Sequence, residues 1–214
     1  MAAHRPGSGE ELNEGPPTTP RQAATVILLR GGNDALEVLL VERTPRARFM
    51  AGAWVFPGGG VKDADGDGDT AHRAAAVREL AEEAHVTLPD PRALVPFSRW
   101  ITPPEVSIRF DTHFYLAEIP DGRQPRTDGG EIVDHRWVTP DAALRAFQAG
   151  ELLLVFPTIK HLEQLAPFAT VTALLEHARD RVVEPMQPRV VVGEGTDAGG
   201  EVARIVLPGE PGYD

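Results

Sequence analysis

A short apolar stretch, Ala53 to Pro57 (AWVFP), runs directly into three glycines, Gly58, Gly59 and Gly60, and the segment from Thr70 to Ala84 then changes to helical periodicity. A strand that ends in residues without side chains and hands over to a helix limits the fold to architectures that lay a helix on a sheet. The glycines also mark a place where backbone carbonyls or amides can approach a metal or a phosphate closely.

The flanking segments extend this pattern. AATVILLR (Ala23 to Arg30) is a β-branched run that stops at the turn GGND and resumes as LEVLLVER (Leu36 to Arg43), a hairpin-like pair. RALVPFSRWIT and IRFDTHFYLAEI read as strands separated by Pro103 and Pro104, and EIVDHRWVTP as one more strand closing at Pro140. PDAALRAFQAGE is predicted to be a helix with Asp141 as its N-cap. PTIKHLEQLAPFATVTALLEHARDRV is predicted to be helical too, with Pro167 as its breaking point. The tail from Pro188 alternates like two strands around a glycine-rich turn. Strands mixed with helices and hairpins, without an internal repeat, predict an α/β sandwich built on a mixed sheet, not a doubly wound parallel fold.

Composition sets the outer limits. A chain of 214 residues that is 42% hydrophobic can build one sizeable core. Its net charge of -11 argues against a nucleic-acid partner, though a local basic patch could still hold an anionic small molecule. With no cysteine, disulfides, thiolate metal sites and cysteine nucleophiles are excluded, so chemistry must run on carboxylates, histidines or hydroxyls. No apolar run reaches membrane-spanning length and the first 20 residues are polar, unlike a secretory leader, so the expected setting is the cytoplasm, with no membrane partner. The expected organisation is a mobile tail over residues 1–20, a core domain over 21–165, and a helical and hairpin extension of that domain over 166–214. That extension either covers the core or pairs with a second copy of the chain as a homodimer.

On a wheel of 100° per residue, Ala74, Val77, Leu80, Ala81 and Ala84 share one side of the helix, and Glu79, Glu82 and Glu83 gather on the other. Like charges at i, i+3 and i, i+4 oppose an isolated helix by a few tenths of a kcal/mol each, roughly. A solvated charged face is one reading of that cluster. A divalent cation, which would reverse the sign of the interaction, is the other.

Together the glycines and RELAEE (Arg78 to Glu83) resemble the Nudix hydrolase family, whose box runs from a glycine through an outer glutamate to Arg-Glu-apolar-x-Glu-Glu. The chain departs from that box in three ways. Five extra residues lie between the glycines and Arg78, the outer glutamate falls on Asp65 counted forward from Gly59 or Thr70 counted back from the helix, and His85 replaces the closing glycine. The resemblance implies a Nudix-type α/β/α sandwich with a mixed sheet. It also implies Mg²⁺ or Mn²⁺ held by Glu79, Glu82 and Glu83 with the Gly59 carbonyl, and Arg78 orienting a glutamate. Glu82 and Glu131 are the candidate catalytic bases, an exposed acidic turn being the alternative for Glu131. His85 is expected at the helix C-terminus in the left-handed conformation.

A second resemblance concerns the substrate. LLVERTPRARFMAGAWVFPGG (Leu39 to Gly59) is similar to the signature of coenzyme A diphosphatases, and SRWITPP and RFDTHFYLA look like the peroxisomal-type branch. The resemblance implies a nucleoside diphosphate derivative as small-molecule partner, coenzyme A or acyl-CoA first, cleaved to 3',5'-ADP and 4'-phosphopantetheine. Arg43, Arg48, Phe56, Gly58 and Gly59 are then the candidate substrate-binding residues, an arginine fork suiting phosphate oxygens. ADP-ribose or NADH as substrate, and a Nudix-fold nucleotide sensor without catalysis, are the alternatives.

DADGDGD (Asp63 to Asp69) imitates half a calcium loop, but its twelfth position is Ala74 and not glutamate, so an acidic surface turn or outer metal ligands are expected instead. His113 is expected to be packed or hydrogen-bonded within its strand. Trp54, Trp100 and Trp137 are expected in the core, with Trp100 also considered for stacking on adenine.

Overall fold

The computed structural model describes residues 12–13, 15–47, 49–127, 129–194 and 201–213, with the side chains of 192–194 and 201–203 excepted. Its centre is the strand β1 (Arg21–Arg30), whose inward residues alternate between two cores. Ala24, Val26 and Leu28 face one helix layer, while Ile27 and Leu29 face the other. This period of two is what lets one strand be buried on both sides.

Strands β2 (Glu37–Arg43), β3 (Trp54–Val55), β4 (Gly58–Gly60), β5 (Val95–Ile101), β6 (Phe110–Glu118) and β7 (Ile132–Val138) complete the main sheet with β8 (Pro185–Met186). β1 and β6 run parallel over nine register pairs, from Arg21↔Phe110 to Leu29↔Glu118, and most other pairs are antiparallel. The sheet is therefore mixed, as expected. The expected β1–β2 hairpin is only partial, because the two strands pair at Leu29↔Val38 and Arg30↔Glu37 and then part. The glycine segment takes the vacated edge: Gly58, Gly59 and Gly60 pair with Thr25, Ala24 and Ala23 as strand β4. β2 turns instead to β3 and β7.

Helix α1 (Gly68–Ala84) covers one face, and α2 (Pro140–Gln148), α3 (Phe156–Leu165) and α4 (Val171–Arg179) cover the other. The cap of α2 is Thr139, whose hydroxyl accepts from the Ala142 amide at 3.3 Å, with Pro140 at the first helical position; the expected cap, Asp141, lies inside the helix. Proline needs no amide partner there, which moves the start two residues upstream. The long C-terminal segment breaks around Pro167 into α3 and α4. His85 closes α1 in the left-handed region, φ 55° and ψ 27°, as the sequence predicts.

The tail folds back as the antiparallel pair β9 (Arg189–Glu194) and β10 (Glu201–Val206). Val206 is buried, and Ile205 and Leu207 pack on the α3/α4 core, so this hairpin covers the chain's own core. At the other end, Leu12 bridges Val106, and the Asn13 amide donates to the Glu105 carbonyl at 2.7 Å. Among the described residues, no helix is long and apolar enough to cross a membrane.

Candidate active site

Where β1, β2, β3 and β4 meet the exposed side of α1, an open cleft of about 510 Å³ is lined by Thr25, Arg43, Gly59, Lys62, Glu79 and Glu131 among others. Gly58, Gly60, Glu82 and Phe56 also border it. Phe56 is itself a core residue, 4% exposed, so it forms floor more than contact surface. Arg48, the other candidate phosphate arginine, lies outside the described residues.

Close backbone approach, not positive φ, explains two of the glycines. A Cβ on Gly59 would stand 2.6 Å from the Glu79 carboxyl carbon, and one on Gly58 would stand 2.6 Å from the Ala24 carbonyl oxygen. At Gly58 and Gly59, β4 thus lies between β1 and α1 with no room for side chains, and the Glu79 carboxylate rests directly on its backbone.

The glutamates do not all face outward, as the wheel had suggested. Ala75, Ala76, Leu80 and Ala84 form the buried stripe, and Glu83 lies within it at 4% exposure, while Ala74, Val77 and Ala81 are half-buried. The helix is rotated because α1 is almost wholly alanine on the sheet side, and the Gly58 amide offers Glu83 a partner: it donates to Glu83 Oε2 at 2.9 Å. Burial pushes the Glu83 carboxyl up to about 8, against the opposing pull of the Gly58 amide and of Arg43, whose Nη1 lies 4.0 Å away. Burying a carboxylate with so little compensation costs several kcal/mol, roughly, unless a further positive charge joins it.

Arg78 organises the exposed side. Its Nε and Nη2 donate to both oxygens of Asp65 at 3.0 and 2.9 Å, its Nη2 also reaches the Gly60 carbonyl at 2.9 Å, and its Nη1 bonds Glu79 and, at 3.2 Å, Glu82. The Arg78 guanidinium holds the Asp65 carboxyl below the usual carboxylate range, and Asp65 in return raises Arg78. Of the two counts for the outer acid, the structure therefore brings Asp65 to the arginine. Thr70 is exposed on the first turns of α1. Lys62, which the sequence did not single out, stands 3.9 Å from Glu79 and 3.5 Å from Glu82. Its signal was its rarity: it is one of the two lysines of the chain and stands two residues after the glycines.

Across the cleft, Arg43 Nη2 donates to Glu131 Oε1 at 2.9 Å, and Arg43 Nε donates to the Phe49 carbonyl at 3.3 Å. Glu131 is thus brought to the site from the start of the β7 segment, and Arg43 sits between it and Glu83. Trp100 is 5% exposed and packs edge-on against Phe156, with ring centres 6.2 Å apart, so it belongs to the core and presents no free face to an adenine. His113 stacks on His72 with 4.0 Å between ring centres, away from these carboxylates.

Glu79, Glu82, Glu83 and the Gly59 carbonyl form an oxygen-only donor set, the kind a hard divalent cation takes. Lys62 Nζ lies within 4 Å of both Glu79 and Glu82, so one positive centre can serve both. Among the described residues, no three acidic or histidine side chains already converge as a finished cage. The donor chemistry fits Mg²⁺ or Mn²⁺, with water and substrate oxygens completing the shell.

Comparison with known proteins follows the same line. Among curated proteins, the chain is 29% identical over 182 residues to nudix hydrolase 7 of Caenorhabditis elegans, covering 68% of this chain and 60% of that protein. It is 31% identical over 101 residues to an acyl-coenzyme A diphosphatase of Homo sapiens, covering 46% of this chain but 27% of the human protein. The corresponding Gallus gallus protein is 24% identical, with 77% and 72% covered. The chain therefore spans less than two thirds of the length of the nematode and human relatives. Among solved structures, a NUDIX hydrolase from Alicyclobacillus acidocaldarius superposes with a TM-score of 0.67 at 27% identity, covering 74% of this chain and 96% of that one. The NUDIX domain model matches residues 19–155, more than half of the 214, and the chain belongs to the Nudix hydrolase family.

Proposed function

We propose that the protein is a Mg²⁺- or Mn²⁺-dependent diphosphatase that cleaves a nucleoside diphosphate joined to a second moiety, coenzyme A or an acyl-CoA, to 3',5'-ADP and a 4'-phosphopantetheine product. The observation that carries the reading is the seating of Glu79 on the Gly59 backbone, beside Glu82 and Glu83, at the edge of an open cleft. Glu79, Glu82 and Glu83 would hold the cation with the Gly59 carbonyl. When bound, it supplies charge neutralisation at the diphosphate and a more acidic water.

The chain's own groups do the rest. Arg78, fixed by Asp65 and the Gly60 carbonyl, holds Glu79 and Glu82 in register with β4. Glu82 is half-exposed and accepts the proton of the attacking water; Glu131, equally open to solvent, is the second candidate for that step. Arg43 orients Glu131 and faces the cleft, where its guanidinium can turn to a phosphate oxygen once substrate enters. Arg48 is proposed as a further phosphate contact. The similarity to acyl-coenzyme A diphosphatases favours coenzyme A derivatives. The pairing of Asp65 with Arg78 supports Asp65 as the outer acid of the box and favours a catalytic protein over a non-catalytic sensor.

The test incubates the protein with Mg²⁺ and, separately, coenzyme A, butanoyl-CoA, ADP-ribose and NADH, and identifies products by mass spectrometry. Release of 3',5'-ADP from the coenzyme A compounds, lost in Glu82→Gln, is the expected result. Turnover of ADP-ribose alone would move the substrate assignment, and binding without turnover of any compound would sink the diphosphatase reading.

A further inference from the structure

A second, smaller cavity of about 90 Å³ adjoins the cleft. Phe49, Met50, Thr102, Thr112, Phe114 and Pro157 line both spaces, so the two lie side by side. The remaining wall includes Trp100 and Ile108 from the β5–β6 region, Phe156 from the start of α3, and Pro188, Val190 and Ile205 from the C-terminal hairpin. Val190 and Ile205 are cross-strand partners, so the hairpin presents them to the cavity as a pair. Among the described residues, no ionisable side chain lines it.

We infer that this cavity is a specificity pocket for a slender apolar arm on the same substrate molecule whose diphosphate lies in the cleft, with the C-terminal hairpin as its outer wall. This rests on the diphosphatase reading. Water filling the whole cavity is a poor occupant, because each ordered water needs roughly two to four polar partners and the described lining is apolar apart from the side chains of two threonines. A charged or amide-rich arm would be buried without partners. An unbranched hydrocarbon loses nothing there. At about 90 Å³ the cavity is small, so only a short run of methylenes fits it.

The experiment uses a series of adenosine diphosphate esters of straight-chain alcohols, methyl to decyl, measuring kcat/KM with Mg²⁺ and Kd by titration calorimetry on the full chain. Short esters are expected to behave alike because they do not reach the cavity. Past a threshold length, both quantities improve by about fourfold per methylene over a short run of methylenes, then level off. In Val190→Trp, which fills the cavity, the step disappears; Ile205→Phe serves as a second filling variant should the first lower the melting temperature. A flat profile with robust turnover, or a step that survives both filled variants, overturns the inference and leaves the diphosphatase reading intact. Failure of every ester to bind or react sinks both.

Discussion

The three glycines of β4 are chemically identical and physically different. Gly58 faces backbone that cannot move, Gly59 faces a carboxylate that can, and the nearest atom to a Cβ on Gly60 is the Gln22 carbonyl at 3.9 Å. Gly58→Ala should therefore cost about 1–3 kcal/mol as an overpacked site. Gly59→Ala should spare most stability yet displace Glu79, lowering turnover by tenfold or more, on the order of the loss of one positioning contact. Gly60→Ala should lie within about 0.5 kcal/mol of the parent. Urea midpoints alongside kcat for the three variants check this order; equal effects at all three positions would contradict it. The sequence exposed the glycine run and the glutamates, but it could not show that Glu83 turns inward. That depends on an amide of β4, 25 residues away, which compensates a buried carboxylate.

At the scale of elements, the loop from Val61 to Asp67 is held to α1 by Arg78, which grips Asp65, and by Lys62, which reaches Glu79 and Glu82. Asp65 Oδ1 and Oδ2 both accept from Arg78, and the Asp65 side chain is only 6% exposed. Asp65→Asn should lower stability by about 1.5–3 kcal/mol, the range for hydrogen bonds to a charged group. It should also lower kcat by tenfold or more by freeing Arg78, and Asp65→Glu should recover part of the activity. Thermal unfolding with steady-state kinetics on the two variants checks it, and a fully active Asp65→Asn would remove Asp65 from the site. The insertion made this acid ambiguous in sequence, since counting from either end reached a different residue. The order of strands and helices was legible, because period-two and helical runs are local signals. β4 leaves no local strand signal because glycine carries no β propensity; its strand character comes from pairing with β1. The parallel β1–β6 pair, which sets the whole sheet, joins residues 89 apart and leaves no local trace.

On the scale of the whole molecule, stability should depend on pH through the core beneath the cleft. His161 is fully buried among Phe56, Phe97, Trp100 and Phe114. Its Nδ1 donates to the Pro157 carbonyl at 2.7 Å, which leaves Nε2 to accept from the Ser98 hydroxyl at 2.6 Å. Burial lowers its pKa from 6.5 to about 4. The folded state thus disfavours the proton that the unfolded chain accepts, so the contribution of this residue to stability is full above pH 6.5 and is lost as pH drops from 6.5 to 4. The loss approaches about 3 kcal/mol, and His113, also lowered to about 4 chiefly by burial, adds in the same direction. Glu83, raised to about 8 by burial, acts in the opposite direction as pH falls from 8 to 4.5, so the histidine contribution is read as a difference: between pH 7.5 and 4.5 the melting temperature of the parent chain should fall relative to that of His161→Gln, and parallel curves would assign the acid sensitivity elsewhere.

The central claim is that the carboxylates seated on β4 hold a divalent cation. Mn²⁺ binding followed by electron paramagnetic resonance, in the parent chain and in Glu79→Gln and Glu83→Gln, tests it most directly. The account predicts saturable binding by the parent and at least tenfold weaker binding by each folded variant, on the order of a lost ligand's contribution. Binding of equal strength in all three proteins would place the cation elsewhere and contradict it.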